Sequence, residues 1–339
     1  MSKCDIIIPV WNQLENTSDC INSLKENTGF PFRLIIVDNA SDEDTKRYLE
    51  SLRVKFPDII LVRNDVNEGF VKAINRGIAR SDADYLCILN NDTVVTRGWL
   101  SEIVRVAEAD PEIGIVNPSS NNLGQRPAPA ESIYEFSEKL KMYKGKYIDL
   151  GAALGFCMFI KRTVVNRIGI FDEVFGMGNF EDTDFSMRAK REGFKIVRAM
   201  ASYVYHKESA SFKILKSYKK CFEDNRKIFE ERWGRQKRHL FILTRADRMD
   251  EFSLCKIEKA LQSNGWIYIA CKTGHVDLKE HSRINIYDFD GSFTLKVLSK
   301  ILFKKKRFDE IYCDDRKLLR LISILRPIHK ASVSPIPQR

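Results

Sequence analysis

The chain has 339 residues, 44% of them hydrophobic and 30% charged, and this composition excludes a disordered protein. The net charge of +10 lies in the last third of the chain: residues 235–339 contain 22 Lys and Arg against 12 Asp and Glu, whereas residues 1–234 contain 34 of each. This asymmetry predicts a domain boundary near Gly234 and an anionic partner for the C-terminal segment.

No apolar stretch approaches the roughly 20 residues that span a bilayer, and the N-terminus lacks a signal-peptide layout. We therefore expect a cytoplasmic protein. The eight cysteines are scattered without a CxxC pair, which argues against a disulfide framework or a zinc site.

Apolar segments alternate with amphipathic segments along residues 1–234. The pattern predicts strands at 5–10, 33–37, 58–62, 85–89, 113–116 and 154–161, and helices at 14–26, 42–52, 69–79, 99–108 and 185–192. Residues 117–147 are polar and rich in Asn, Ser and Pro, which predicts an irregular, functional loop. Short, wholly apolar strands between helices predict an α/β fold with a Rossmann-like, mainly parallel sheet that helices cover on both faces.

Residues 235–339 repeat a simpler pattern. Strands are predicted at 239–244, 266–270, 284–287 and 310–313, and helices at 254–263, 294–302 and 318–325. These elements predict a second, small basic domain of the βαβ type, whose role the sequence does not reveal.

Polar residues follow four successive strands of the first domain, at residues 9–12, 38–41, 67–70 and 90–92. Parallel sheets bind ligands at the carboxyl ends of their strands. Asp38 could accept a hydrogen bond from a pyrimidine or a ribose, and Gly69 opens a helix whose N-terminus could face phosphate. Asp92 is a hard oxygen ligand of the kind that Mg²⁺ or Mn²⁺ requires. Helix capping and turn formation would explain any one of these segments, but less readily all four.

The N-terminal 230 residues or so resemble glycosyltransferase family 2, and within it the bacterial rhamnosyltransferase-like branch that builds surface polysaccharides. The resemblance rests on the order and spacing of several motifs: Ile8-Pro9-Val10-Trp11-Asn12, Val37-Asp38-Asn39-Ala40-Ser41-Asp42, Asn67-Glu68-Gly69-Phe70 with Asn75 and Gly77, Leu89-Asn90-Asn91-Asp92, Gly155-Phe156-Cys157-Met158, Phe171-Asp172-Glu173 and Phe180-Glu181-Asp182-Thr183-Asp184.

The resemblance implies an inverting enzyme of the GT-A fold that uses a UDP- or dTDP-linked sugar donor and a divalent metal, Mn²⁺ or Mg²⁺. Asp38 would hold the nucleotide base, Asn91 would contact the diphosphate and Asp92 would bind the metal. The family's Asp-x-Asp is Asn90-Asn91-Asp92 here, which leaves one strong carboxylate ligand. The full set of expected donor-binding residues is Pro9, Val10, Asn12, Asp38, Asn67, Gly69, Asn90 and Asn91.

On the acceptor side, the resemblance assigns Asp182 as the general base and Glu181 as the residue that orients the acceptor, which would be a hydroxyl of a glycan, lipid-linked or protein molecule. His206 would be a further metal ligand or diphosphate contact. Asp184 is interpreted as a helix N-cap, and Arg188, one turn later, as its intrahelical ion-pair partner.

The segment Lys296–Arg307 combines basic and apolar residues at helical spacing. This pattern is typical of a peripheral contact with an anionic membrane, here at its inner face. It is also typical of a helix that packs on its own sheet with a solvated lysine face, and the sequence slightly favours this second interpretation. Nucleic acid is not expected as a partner, because no interleaved aromatic platform or known module is present.

Two other functions remain open from the sequence. A nucleotidyltransferase could share the Rossmann-like half, but it needs a glycine-rich basic loop after the first strand, and residues 9–13 contain no glycine. A non-catalytic adaptor with a degenerate transferase fold is the other alternative, and the presence of Asp38, Asp92 and Asp182 argues against degeneration.

Overall fold

The computed structural model describes residues 4–207, 218–244, 250–272, 278–289 and 291–337. The chain divides into two compact units, Met1–Phe229 and Glu230–Arg339, and the division falls within the helix Tyr218–Trp233. Gly234, where the charge pattern placed a boundary, directly follows that helix. Each unit has a hydrophobic core of its own.

The first unit is built on a mixed sheet. Its strands are β1 Cys4–Val10, β2 Phe32–Asp38, β3 Ile60–Arg63, β4 Tyr85–Leu89, β5 Thr93–Val95, β6 Ile113–Ser119, β7 Tyr147–Asp149, β8 Cys157–Lys161 and β9 Lys195–His206. The order is β3-β2-β1-β4-β8-β6-β9-β5, and β7 also pairs with β9. The strands from β3 to β4 are parallel, whereas β8 runs antiparallel to both of its neighbours. The expected mixed α/β fold is confirmed.

The helices of the first unit are α1 Leu14–Asn27, α2 Glu43–Lys55, α3 Phe70–Ile78, α4 Trp99–Glu108, α5 Ile133–Leu140, α6 Arg162–Ile168, α7 Glu181–Arg191 and α8 Tyr218–Trp233. Ile6 and Ile8 of β1 pack with α1, α2 and α4 in one core. Ile7, between them, faces α3 on the other side of the sheet, where a Cβ on Gly77 would come within 2.4 Å of its side chain. Helices therefore cover both faces, and α3 approaches β1 so closely that only glycine fits at position 77.

Several elements differ from the sequence-based prediction. Residues 117–147 are not wholly irregular, because β6 continues to Ser119 and α5 begins after a capping box formed by Ser132 and Glu135. The strands β5 and β7 were not predicted, since each has only three residues and no pattern of its own. Most of β9 was also missed, because charged and polar residues interrupt its apolar positions.

The second unit contains a five-stranded parallel sheet in the order β12-β11-β10-β13-β14. Its strands are β10 Arg238–Leu243, β11 Trp266–Cys271, β12 Ile284–Asp288, β13 Glu310–Cys313 and β14 Ser332–Pro335, and its helices are α9 Glu251–Gln262, α10 Phe293–Phe303, α11 Arg316–Ile324 and α12 Arg326–His329. Helix α9 packs on one face of the sheet, and α10 and α11 pack on the other. The sequence did not predict β14 or α12. None of the helices in the described ranges combines the length and the apolar sequence that crossing a membrane would need.

Candidate active site

A cavity of about 360 Å³ opens in the first unit beside the start of α7. Glu181 and Asp182 line one part of it, and His206 at the end of β9 lines another. Asn90, which directly follows β4, lines the same cavity. Four of the predicted site residues thus face a single space, although they come from three separate segments of the chain.

Asp182 is held by three hydrogen-bond donors. Its Oδ2 accepts from the amide of Gly155 at 3.0 Å, and its Oδ1 accepts from the amide and hydroxyl of Thr183 at 2.6 and 3.1 Å. These contacts fix the orientation of the carboxyl group and favour its charged form. The structure thus gives Asp182 the partners that an ionised carboxylate needs.

Glu181 has a different environment from its neighbour. Burial, and then the charge of Asp182, raises the pKa of Glu181 to about 8, and its Oε2 is buried with no hydrogen-bond partner among the described residues. Burial also raises the pKa of Asp182, although its three donors oppose that rise. The raised pKa of Glu181 thus favours its protonated form at neutral pH.

The loop before α7 is anchored from α8. Asn225 is buried, and its Nδ2 donates to the carbonyls of Phe175 and Gly178 at 2.9 and 2.8 Å. The loop then reaches α7 through Asn179 and Phe180, both with positive φ, of 75° and 72°. Such backbone conformations are costly outside glycine, so the contacts of Asn225 help to hold a strained approach to Glu181. Sequence analysis gave no signal for Asn225.

Pairing of β5 with β9 brings Asp92 to His206. Thr93 lies opposite His206 in this antiparallel pair, and Nε2 of His206 lies 2.9 Å from Oδ1 of Asp92. The ring of Phe156 stacks on the imidazole at 5.4 Å with an interplanar angle of 16°. The sequence predicted both residues but not the strand pairing that joins them.

Two asparagines of the 117–147 segment hold His206. The side chain of Asn121 donates to the carbonyl of His206 at 2.8 Å and accepts from its amide at 2.9 Å. The Nδ2 of Asn122 contacts Nδ1 of the ring, while its Oδ1 is buried with no partner among the described residues. Turning the Asn122 amide over would place this oxygen beside Nδ1, where it would accept a hydrogen bond from the Nδ1–H of a neutral imidazole. The lone pair of Nε2 would then be available to a metal. The sequence marked this segment as functional without identifying either residue.

The polar atoms around His206 fit a divalent cation. Asp92 Oδ1 and His206 Nε2 are separated by 2.9 Å, so both atoms could contact one Mn²⁺ or Mg²⁺. The Oδ1 of Asn90, which also lines the cavity, is buried without a partner in the described ranges. Those ranges hold no cluster of three His, Cys, Asp or Glu side chains suited to a metal. A cation here would therefore take its other ligands from substrate or water.

The remaining predicted donor-binding residues lie elsewhere at the strand ends and do not line this cavity. Asp38 is only 2% exposed, and its carboxylate is paired with Arg63 and with the amide of Ser41. Asn12 is tied to the next loop, since its Oδ1 accepts from the amide of Asp42 at 2.7 Å. Pro9 and Val10 are the last residues of β1. Arg63, which the sequence did not single out, is thus the ion-pair partner of the Asp38 carboxylate.

Gly69 and Asn91 have structural explanations in this molecule. The Gly69 amide donates to Oδ1 of Asn67 at 3.0 Å. Its φ of +90° and the approach of Gly176, whose carbonyl oxygen would lie 2.9 Å from an added Cβ, account for the glycine. The side chain of Asn91 donates to Thr17 at 2.9 Å. Contacts of Asn67, Gly69 and Asn91 with a donor stay predictions.

Asp184 is not a helix N-cap, because α7 already begins at Glu181. Its buried carboxylate instead forms an ion pair with Arg188 at 2.9 Å. This is the intrahelical ion pair that the sequence predicted for Arg188. The helix begins earlier than the sequence indicated, since Phe180 in a left-handed conformation ends the preceding loop. That early start is what presents Glu181 and Asp182 from the first turn.

Residues 5–169 match the protein family described as glycosyl transferase family 2. Over 197 residues the chain is 24% identical to the glycosyltransferase AglE of Haloferax volcanii, a match that covers 57% of this chain and 63%, less than two thirds, of AglE. It is 26% identical over 211 residues to the uncharacterized glycosyltransferase YwdF of Bacillus subtilis, which covers 60% of this chain and 74% of YwdF.

The fold is also similar to that of GalNAc-T7, whose crystal structure contains UDP, GalNAc and Mn²⁺. The TM-score is 0.50 at 15% sequence identity, and the match covers 61% of this chain and 44% of GalNAc-T7. At this identity the likeness shows a shared fold.

Proposed function

Because residues 5–169 form a glycosyl transferase family 2 domain, we propose that this chain transfers a sugar from a nucleoside-diphosphate sugar to an acceptor hydroxyl, with inversion and with the help of a divalent cation. The observation that carries the proposal is that Asp182 and His206, the latter hydrogen-bonded to Asp92, line one cavity. A direct displacement at the sugar requires a general base for the acceptor hydroxyl and a group that binds the leaving diphosphate.

Asp182 is the proposed general base. Direct displacement needs one group that accepts the proton of the attacking hydroxyl, on the side opposite the leaving diphosphate. The three donors on Asp182 favour its carboxylate, while Glu181 is the neutral partner that can donate a hydrogen bond to an acceptor oxygen. Protonation of Asp182 and departure of the diphosphate then complete the transfer.

Asp92 and His206 are the proposed metal ligands, with the amide oxygen of Asn90 as an adjacent acceptor. A bound Mn²⁺ or Mg²⁺ would act there as a Lewis acid that neutralises charge on the diphosphate. Phe156 and Asn121 hold the imidazole and backbone of His206, so the ligand pair keeps its spacing before a donor binds.

The donor is proposed to be a UDP- or dTDP-linked sugar with its base near Asp38 and Arg63. The Mn²⁺ and UDP in GalNAc-T7 support a donor of this kind by likeness of fold. The acceptor is proposed to be a hydroxyl of a glycan, lipid-linked or protein molecule. A role in surface polysaccharide assembly follows from the sequence resemblance and is part of the proposal.

The experiment is a hydrolysis and transfer assay over a panel of UDP- and dTDP-sugars with Mn²⁺, run on the wild type and on Asp182→Asn. We expect Asp182→Asn to lower turnover by about 100-fold or more, since general bases contribute factors of this order. Its thermal midpoint should still rise with donor and Mn²⁺, because the cation ligands are unchanged.

Asp65→Asn, at an exposed loop position, is the matched control and should keep wild-type turnover. Normal turnover of Asp182→Asn would show that another group is the base. A wild type that binds and hydrolyses no donor with or without metal would contradict the proposed function itself.

A further inference from the structure

The second unit has a layer of three helices on one face of its sheet. Val297 and Ile301 of α10 and Leu318 and Ile322 of α11 are buried in one cluster with residues of β10, β11 and β13. Helix α12 contacts both α10 and α11, and Nε2 of His329 in α12 is hydrogen-bonded to the carbonyl oxygen of Ile322 at 2.9 Å. The inner side of this layer is therefore packed, and its outer side faces away from the sheet.

The outer side carries large apolar side chains. Phe303 is 81% exposed, Ile324 74%, Leu295 70%, Ile328 53% and Leu321 39%. A single exposed apolar residue is ordinary, but five on three adjacent helices are typical of a surface that contacts an apolar partner.

The same layer is strongly basic. Residues 291–308 and 316–337, which form it, contain eleven Lys and Arg and not one Asp or Glu. The acidic residues between the two segments lie at strand and helix ends, where Asp309 pairs with Arg235, Glu310 pairs with Lys237, and Asp315 caps α11. The two segments that form the layer thus contain no acidic side chain to offset its positive charge.

Three of the lysines are fixed along the edge of the layer. Lys296, Lys300 and Lys304 follow one another by one helical turn, and their ammonium groups lie over the rings of Phe289, Tyr287 and Tyr268 at 5.9, 4.6 and 3.3 Å. These three lysines therefore pack partly on aromatic side chains of their own unit. Lys305 and Lys306, which follow the helix, are exposed.

We infer that this outer face, defined by Leu295, Phe303, Leu321, Ile324 and Ile328 with the surrounding basic residues, docks on the surface of an anionic lipid bilayer. A bilayer interface accommodates both features, because apolar side chains enter the acyl boundary while Lys and Arg reach the anionic headgroups. A second copy of the chain would bring the same eleven positive charges, which repel. Nucleic acid supplies phosphates but leaves the five apolar side chains unburied.

The test is co-sedimentation of the full chain with vesicles of phosphatidylcholine alone or mixed with phosphatidylglycerol. Binding is expected to the mixed vesicles only, and it should weaken as salt is raised. The double variant Phe303→Ser, Ile324→Ser should bind roughly tenfold or more weakly, because it removes two large apolar side chains. The matched control is the double variant Val54→Ser, Met142→Ser, which should bind like the wild type. These two apolar residues lie on the first unit and are 88% and 75% exposed.

A second pair of variants tests the charge. Lys305→Glu with Lys306→Glu should lower binding roughly tenfold or more, since each basic residue near an anionic surface contributes measurably. Lys25→Glu with Lys55→Glu, at exposed positions of α1 and α2, should not. Equal binding to neutral and anionic vesicles, absence of binding, equal losses in the control pairs, or tighter binding of an oligonucleotide than of anionic vesicles would each overturn the inference. No sugar donor is needed, so the outcome is independent of the proposed transfer reaction.

Discussion

Adjacent carboxyl groups at the start of α7 differ in the hydrogen bonds they receive. Three donors contact Asp182, whereas Oε2 of Glu181 has no partner among the described residues and burial raises the pKa of that residue to about 8. This difference suits the roles proposed above, with Asp182 as the base and Glu181 as a hydrogen-bond donor. The division of roles depends on single contacts such as that of the Gly155 amide.

The raised pKa of Glu181 has a consequence for stability. An unfolded Glu loses its proton near its ordinary pKa of 4.5, but the folded protein keeps this proton up to about pH 8. Between these values the folded state binds more protons than the unfolded state, so the free energy of unfolding falls as pH rises. The stabilisation is fully present below pH 4.5 and is lost by about pH 8.

Glu181→Gln should remove this dependence. We expect urea unfolding at pH 5.5 and pH 8.5 to show a smaller loss of stability for the variant than for the wild type. Glu15→Gln, at an exposed position of α1, should behave like the wild type. An identical loss in the wild type and in Glu181→Gln would show that Glu181 does not carry the proton.

Asn122 is expected to tune metal binding through His206. Residues that orient a metal-binding histidine typically contribute 10- to 100-fold to metal affinity, so Asn122→Ala should weaken Mn²⁺ binding in the presence of UDP by about that factor. The measurement is electron paramagnetic resonance of free Mn²⁺, which requires no turnover. Asn22→Ala, on the exposed face of α1, is the control, and unchanged Mn²⁺ affinity of the Asn122 variant would refute the role.

At the level of the elements, strands with continuous apolar sequences were predictable and short or mixed ones were not. The bounds of β4, α4 and β13 agree with the sequence-based prediction because apolar or amphipathic patterns define them completely. By contrast, β5 has three residues, and it is a strand only because β9 pairs with it. The geometry of Asp92 and His206 depends on this pairing, so local sequence could suggest the two residues but not their contact.

The packing of α3 on β1 gives a prediction about stability. A Cβ at Gly77 would lie 2.4 Å from the buried side chain of Ile7, so Gly77→Ala should lower the free energy of unfolding by about 1–3 kcal/mol, as overpacked cores do. Gly29→Ala is the matched control, because nothing lies within 4 Å of its added Cβ. Urea denaturation of both variants is the measurement, and equal stabilities would show that α3 can move away from β1 at little cost.

For the molecule as a whole, the fold class could be predicted, and the proposed site residues carry a signal in the sequence, whereas the residues that contact them do not. Asp92, Asp182 and His206 belong to motifs with recognisable spacing. Asn122 and Arg63 carry no such signal, since each contacts a residue far away in the chain. The basic charge of the C-terminal third was evident in the sequence, but its arrangement around exposed apolar side chains required the positions of α10, α11 and α12.

The central claim is that one cavity holds a cation at Asp92 and His206 and an acceptor hydroxyl at Asp182. The most direct measurement is anomalous diffraction from Mn²⁺ in crystals grown with UDP. We predict a Mn²⁺ peak in contact with both Asp92 and His206, with the diphosphate bound to it and the space toward Asp182 open for the sugar and acceptor. A diphosphate bound outside this cavity, or a Mn²⁺ that contacts neither residue, would contradict the account.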